Sequence, residues 1–193
     1  MKTITRVYDT YQQAQQLVND LEEAGISSAN ISIIANKHVS NEHQDVEPSS
    51  GAASGAGLGA AVGGGAGLLA GLGLLAIPGL GPVVAAGWLA ATALGAAGGA
   101  AAGGIIGLLV GTGVNESDAH VYSEAIRRGG TMVTVRYDEQ QEMNVTRALN
   151  KHKPIDPSLR RTEYQATGWT QFDPDAPDYS LTDAELENKR RRG

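Results

Sequence analysis

Residues 51–114 constrain the fold more than any other part of the sequence, because this stretch contains no charged residue. It also holds most of the chain's 26 glycines. Glycine recurs at every fourth position, with Ala91 taking one place in the series. Because four residues make slightly more than one helical turn, each series would form a smooth groove along one helix face. The predicted helix-packing positions are Gly51, Gly55, Gly59, Gly63, Gly67, Gly71, Gly87, Gly95, Gly99, Gly103, Gly107 and Gly111.

The glycine series is interrupted at residues 77–82, where two prolines and two glycines favour a turn. We therefore predict a Gly/Ala-rich helical hairpin over residues 51–114, with arms at about 52–77 and 83–111. At about 1.5 Å per residue, each arm is longer than the roughly 30 Å hydrocarbon core of a bilayer. A glycine inside a helix costs about 1 kcal/mol relative to alanine. The arms thus need either lipid or a closely packed partner.

Two functions are compatible with such a hairpin. The leading hypothesis is a protein on the cytoplasmic face of a membrane, anchored in lipid by a self-associating glycine-zipper hairpin. Both flanks would then be cytoplasmic, because Lys37, Arg127 and Arg128 flank the arms and the turn carries no cation. The alternative is a soluble cytoplasmic protein whose packed hairpins assemble into a filament or shell. A regulatory domain that binds a small ligand on its sheet is a third, more remote alternative.

The sequence on either side of the glycine-rich stretch predicts one small domain in two halves. Residues 1–37 read as β-α-β, with an amphipathic helix between two β-prone segments. Residues 38–50 form a polar linker, and residues 115–153 read as α-β-α. The predicted fold class is α+β, a small three-stranded ferredoxin-like domain (β-α-β / α-β-α) interrupted by the helical hairpin.

Residues 154–193 are rich in proline and acidic residues, which predicts a mostly disordered C-terminal tail. Isolated aromatic side chains stand within this polar segment. Trp169, Phe172 and Tyr179 are typical of a linear motif that docks onto a protein partner. The basic residues at 189–192 would be able to contact anionic lipid.

Several classes of function find no support in the sequence. The chain has no cysteine, and its formal net charge of −6 is not offset by a basic patch, so we predict no nucleic-acid partner. His38 and His43 are five residues apart in the predicted linker, where solvated side chains are a better interpretation than a metal pair. We find no nucleophile motif, P-loop or paired carboxylates, and we predict no enzyme activity, cofactor or metal. The N-terminus lacks the apolar run of a signal peptide.

The order of the flanking motifs resembles the bacterial heat-induced general stress protein family. The motifs are Val-Tyr-Asp at 7–9, Ala-Gly-Ile at 24–26, Asn-Ile-Ser-Ile-Ile-Ala at 30–35, and Arg-Arg-Gly-Gly-Thr-Met-Val-Thr-Val-Arg at 127–136. The resemblance covers about residues 3–150, and the Gly-Trp-x-x-Phe-Asp-Pro at 168–174 is similar to the tails of some members. It implies a stress-responsive bacterial protein, so the predicted membrane location becomes the cytoplasmic face of the bacterial inner membrane. The resemblance supplies no functional residues to carry over.

Overall fold

The computed structural model describes residues 1–36, 73–77, 80–89, 100–176 and 179. Within these ranges the strands are β1 (Lys2–Tyr8), β2 (Ile31–Asn36), β3 (Gly73–Ile77), β4 (Gly81–Gly87) and β5 (Thr131–Tyr137). The α-helices are α1 (Tyr11–Glu23), α2 (Ala100–Gly111), α3 (Glu116–Arg127), α4 (Glu142–Lys151) and α5 (Pro157–Gln165). Single turns of 3₁₀ helix at Ser28–Asn30 and Glu139–Gln141 precede β2 and α4.

The strands form one sheet in the order β1-β5-β2-β4-β3, and every neighbouring pair is antiparallel. Strand β5 lies between β1 and β2, with Thr134 opposite both Thr5 and Ser32. β1 and β2 are therefore parallel to each other, as a β-α-β unit requires. The α+β class and the three predicted strands are confirmed.

Helices cover both faces of the sheet, and the alternation of side chains along each strand divides the core in two. Val7 joins the core beneath α2 and α3, whereas the next residue, Tyr8, joins the core beneath α1 and α4. The same alternation recurs at Met132 and Val133 on β5. The ferredoxin-like arrangement is not confirmed, because helices pack on both faces and two further strands extend the sheet beyond β2.

Local signals fix the ends of α1 and α3. The Thr10 hydroxyl accepts a hydrogen bond from the Gln13 N–H, and Gly25, with φ of 86°, follows the C-terminus of α1. Asn115 caps α3 in the same way through the Asp118 N–H, and Gly129 follows that helix with φ of 89°. Helix α1 lies within the predicted β-α-β half, and α3 lies within the predicted α-β-α half.

The predicted helical hairpin is wrong at its turn, where the chain forms a β-hairpin. Residues 73–77 and 81–87 are strands β3 and β4, and β4 pairs with β2. The physical reason is the edge of β2, whose backbone groups need a partner once its side chains are buried on both faces. Two polar side chains of β2 then anchor β4: the Asn36 amide donates to the Leu80 carbonyl (3.3 Å), and the Ser32 hydroxyl accepts from the Leu89 N–H (2.9 Å).

The end of the predicted second arm is helical, as α2, although Gly104 interrupts it with φ of 53° and ψ of −151°. Residues 52–72 and 90–99 of the predicted arms lie outside the described residues, as does the predicted linker at 38–50. In the part of the chain that the structure describes, each helix is too short or too polar to cross a membrane. Strands β3 and β4 replace helix at the turn end of the two predicted arms.

The prediction of a mostly disordered tail is wrong for residues 154–176. Asp156 caps α5 by accepting from the Ser158 and Leu159 N–H groups, and Pro157 occupies the first turn, where its missing N–H is harmless. Tyr164 and Phe172 are buried against the rest of the domain. Apolar burial by these separated aromatic residues compensates for the polar composition that suggested disorder.

The end of β4 provides a test of the strand assignment. At Gly87 φ is 92°, and an added Cβ would lie 2.1 Å from the Ile31 carbonyl oxygen. We expect Gly87→Ala to lower the free energy of unfolding by about 2 kcal/mol or more. Gly107→Ala on α2 is the matched control, because an added Cβ there meets nothing within 4 Å. It should raise stability by about 0.5–1 kcal/mol. Urea unfolding measures both, and equal effects would contradict the strand.

Candidate functional site

A compact group of charges surrounds Glu124 on α3. This carboxylate is only 1% exposed. Arg127 binds it through two nitrogens, Nε to Oε2 at 2.9 Å and Nη2 to Oε1 at 2.8 Å. Arg128 donates from Nε to Oε1 at 2.6 Å. Because the three residues are three and four positions apart, one helical turn assembles the group. We call it the Arg–Glu–Arg cluster.

Aromatic residues of the tail cover the Arg–Glu–Arg cluster. The Arg128 guanidinium carbon lies 4.4 Å from the centre of the Tyr164 ring and 4.9 Å from that of Tyr179. Arg127 lies 5.1 Å from the Tyr179 ring, and Trp169 meets Tyr164 edge to face, with ring centres 5.5 Å apart. Such contacts between a cation and an aromatic ring strengthen when water is excluded.

Burial and charge act in opposite directions on the ionisable groups of this region. Burial by itself would lower the pKa of Arg128, but the hydrogen bond to Glu124 and its negative charge outweigh that effect and raise the pKa. Burial raises the pKa of Tyr164, although Arg160 and Arg128 act against it. Arg128 therefore stays protonated, and Tyr164 stays neutral, at physiological pH.

Three further contacts hold the tail against the domain. The Ile155 N–H donates to the Val7 carbonyl on the outer edge of β1 at 2.7 Å. Arg160 pairs with Asp9 at 2.8 Å, and Arg161 pairs with Asp118 at 2.8 Å. Phe172 completes the attachment by entering the core beneath α2 and α3. The tail therefore contacts both the edge of the sheet and helix α3.

The structure places all three residues of the predicted docking motif against the chain's own domain. Trp169 packs on Tyr164, Phe172 is in the core, and Tyr179 covers the two arginines. Binding of a protein partner by these residues stays a prediction. The sequence analysis used Arg127 and Arg128 only as cations that flank the hairpin arms and missed Glu124, although its spacing from both arginines was a usable signal.

The predicted glycine positions fall into different environments. Gly87 ends a strand, whereas Gly103, Gly107 and Gly111 lie in α2. Cβ atoms added at 107 and 111 would each meet open space. Their role as a helix-packing interface stays a prediction. The other predicted positions lie outside the described residues: Gly51, Gly55, Gly59, Gly63, Gly67, Gly71, Gly95 and Gly99.

The described residues contain no group of three or more histidine, aspartate or glutamate side chains placed to hold a metal ion. His38 and His43, the pair considered from the sequence, lie outside the described residues. The predictions that the protein uses no cofactor or metal stay predictions.

Removing the central carboxylate tests the Arg–Glu–Arg cluster. We expect Glu124→Ala to lower the free energy of unfolding by about 3–5 kcal/mol, because it leaves two partly buried arginines without their counter-ion. Glu23→Ala, at an exposed position in the last turn of α1, should change stability by no more than about 0.5 kcal/mol. Chemical denaturation measures both variants, and a similarly small effect of Glu124→Ala would mean that the cluster does not stabilise the fold.

A second pair of variants tests the attachment of the tail. Phe172 is 3% exposed, so Phe172→Ala should lower the free energy of unfolding by about 3–5 kcal/mol. The neighbouring Gln171 is exposed, and Gln171→Ala should be nearly neutral. Thermal and urea unfolding provide the measurement. An unchanged midpoint for Phe172→Ala would show that the tail is not part of the folded domain.

Comparison with known proteins identifies the N-terminal part of the chain. Residues 3–75 match the family model described as the heat-induced stress protein YflT domain. No curated protein and no solved structure gives a significant match. The matched span begins in β1 and ends within β3. The resemblance found in the sequence motifs is thereby confirmed over residues 3–75, which carry the stress protein domain of the bacterial heat-induced general stress protein family. Its predicted extension to about residue 150 stays a prediction.

Proposed function

We propose that this chain is a non-enzymatic stress-response protein that acts by associating with further copies of itself through a glycine-rich helical surface. The stress protein domain supports the first part of this proposal. The second part concerns the surface of α2, through which copies would assemble into the predicted filament or shell. A cytoplasmic location is part of the same prediction.

One observation carries the proposal of self-association. Gly107 and Gly111 lie one turn apart on the exposed side of α2, and Val110 beside them is 44% exposed. Neither glycine has a positive φ, and an added Cβ would meet nothing within 4 Å. Alanine would therefore be the more stable residue at Gly107 by about 0.5–1 kcal/mol, and the backbone at Gly111 accepts alanine as well. Close approach of a helix from a second copy is a physical reason to have glycine there.

The membrane-anchored form that we predicted has less support. That prediction placed helical arms at about 52–77 and 83–111, and strands β3 and β4 occupy the turn end of each. Contact with lipid and a location at the inner membrane stay predictions without support from the described residues. Assembly of copies through the surface of α2 needs neither arm to span a bilayer.

The non-enzymatic part of the proposal is supported by the roles of the buried polar groups. Glu124 is occupied by its two arginines. The Thr5 hydroxyl lies 3.0 Å from the hydroxyls of both Thr112 and Thr134, and Thr112 donates to the Leu109 carbonyl at 2.7 Å. The threonine hydroxyls join β1 to β5 and to the end of α2, and the Glu124 bonds stay within the last turn of α3. The predicted small-ligand alternative has one observation in its favour, a cleft beside β1.

Leucine substitutions on α2 test the self-association. We expect the wild-type protein to be oligomeric, and Gly107→Leu and Gly111→Leu to have a lower mass by static light scattering, because the added side chains prevent close helix approach. Gln16→Leu is the matched control, since it places the same side chain on an exposed position of α1. Gly63→Leu and Gly99→Leu extend the test to the remainder of the glycine series. A monomeric wild type, or unchanged masses for the two α2 variants, would contradict the proposal.

A further inference from the structure

A cleft of about 670 Å³ lies between β1 and α4. Ile4 and Arg6 line it from β1, Thr146, Leu149 and Asn150 line it from α4, and residues 151–154 close one end. Its volume falls within the range of about 300–1,000 Å³ that is usual for sites that bind small molecules. The cleft is separate from the surface of α2, since it opens on the side of the sheet that α1 and α4 cover.

Positive charges outnumber negative charges in the cleft, and the acidic groups nearby are already paired. Glu142, which lines the cleft, accepts a hydrogen bond from Lys2 at 2.8 Å. Asp20 on α1 binds Lys151 at 2.7 Å and His152 at 2.6 Å. Hydrogen bonds from Lys151 and His152 lower the pKa of Asp20, so its carboxylate stays ionised and holds that end of the cleft.

Arg6 and Lys153 are the cations that remain. Among the described residues neither forms an ion pair, and Arg6 uses one nitrogen, Nη1, to bind the Thr5 carbonyl at 2.9 Å. A guanidinium has five N–H donors, so further donors are available. The backbone at both cations is held in place. Arg6 lies within β1. Lys153 lies between His152, whose side chain binds Asp20, and Ile155, whose N–H donates to the Val7 carbonyl.

The floor of the cleft is apolar. Ile4 and Leu149 pack against the core beneath α1 and α4, and the Tyr137 ring belongs to that core. Arginine and lysine side chains are the usual partners of carboxylates and phosphates. We propose that this cleft binds a small organic anion, whose carboxylate or phosphate is held by Arg6 and Lys153 and whose hydrocarbon part lies against Ile4 and Leu149.

Titration calorimetry with simple probes tests the site. Hexanoate and hexyl phosphate carry both a negative charge and a hydrocarbon chain, so we expect at least one of them to bind with one-to-one stoichiometry. Inorganic phosphate lacks the chain and should bind at least tenfold more weakly than hexyl phosphate. Hexylamine reverses the charge and should not bind. A comparison of the two anionic probes identifies the preferred head group.

Substitutions that remove charges inside and outside the cleft provide the control. The double variant Arg6→Gln, Lys153→Gln should bind the preferred probe at least tenfold more weakly, and raised salt should weaken binding to the wild type. Arg147→Gln removes a charge from an exposed position of α4 outside the cleft and should leave affinity unchanged. Urea unfolding of each variant verifies that the fold is intact. Absence of binding to both anions, tight binding of hexylamine, or equal losses in the double variant and Arg147→Gln would overturn the proposal.

Discussion

The antiparallel pairing of β5 with both β1 and β2 is the interaction on which the rest of this structure depends. β1 and β2 are parallel and need a strand between them, and that strand is supplied by residues that follow the whole glycine-rich stretch. β5 contributes Met132 to one core and Val133 to the other. The helices on both faces thus pack on a surface that exists only once this distant strand has been inserted.

The outer parts of the domain are fixed to this centre by polar contacts as much as by apolar packing. The tail binds the edge of β1 through Ile155, and its tyrosines cover the Arg–Glu–Arg cluster on α3. A buried ion group of this kind contributes to the fold because every charge in it has a partner, whereas loss of one member leaves the others uncompensated. The same attachment positions residues 151–154, which close the proposed anion cleft.

Glycines that belong to the same four-residue series have two different structural roles. At Gly87 the backbone adopts a positive φ and passes close to β2, so that a side chain does not fit. At Gly107 there is room for a side chain, and none of the described residues requires glycine there. Spacing does not separate these cases, because the absence of a Cβ permits both a special backbone conformation and a close approach of two chains.

The sequence by itself determined the elements whose signals are local. Periodic apolar residues predicted β1, α1, β2, α3, β5 and α4, and the motifs around them predicted the family. Only the tertiary structure decided that residues 73–87 form a β-hairpin, that Phe172 is buried, and that Arg6 and Lys153 line one cleft. Each of these depends on partners far away in the chain: the free edge of β2, the surface of α3, and the approach of α4 to β1. Local propensity carries no information about such partners, and the energy of pairing and burial overrides it.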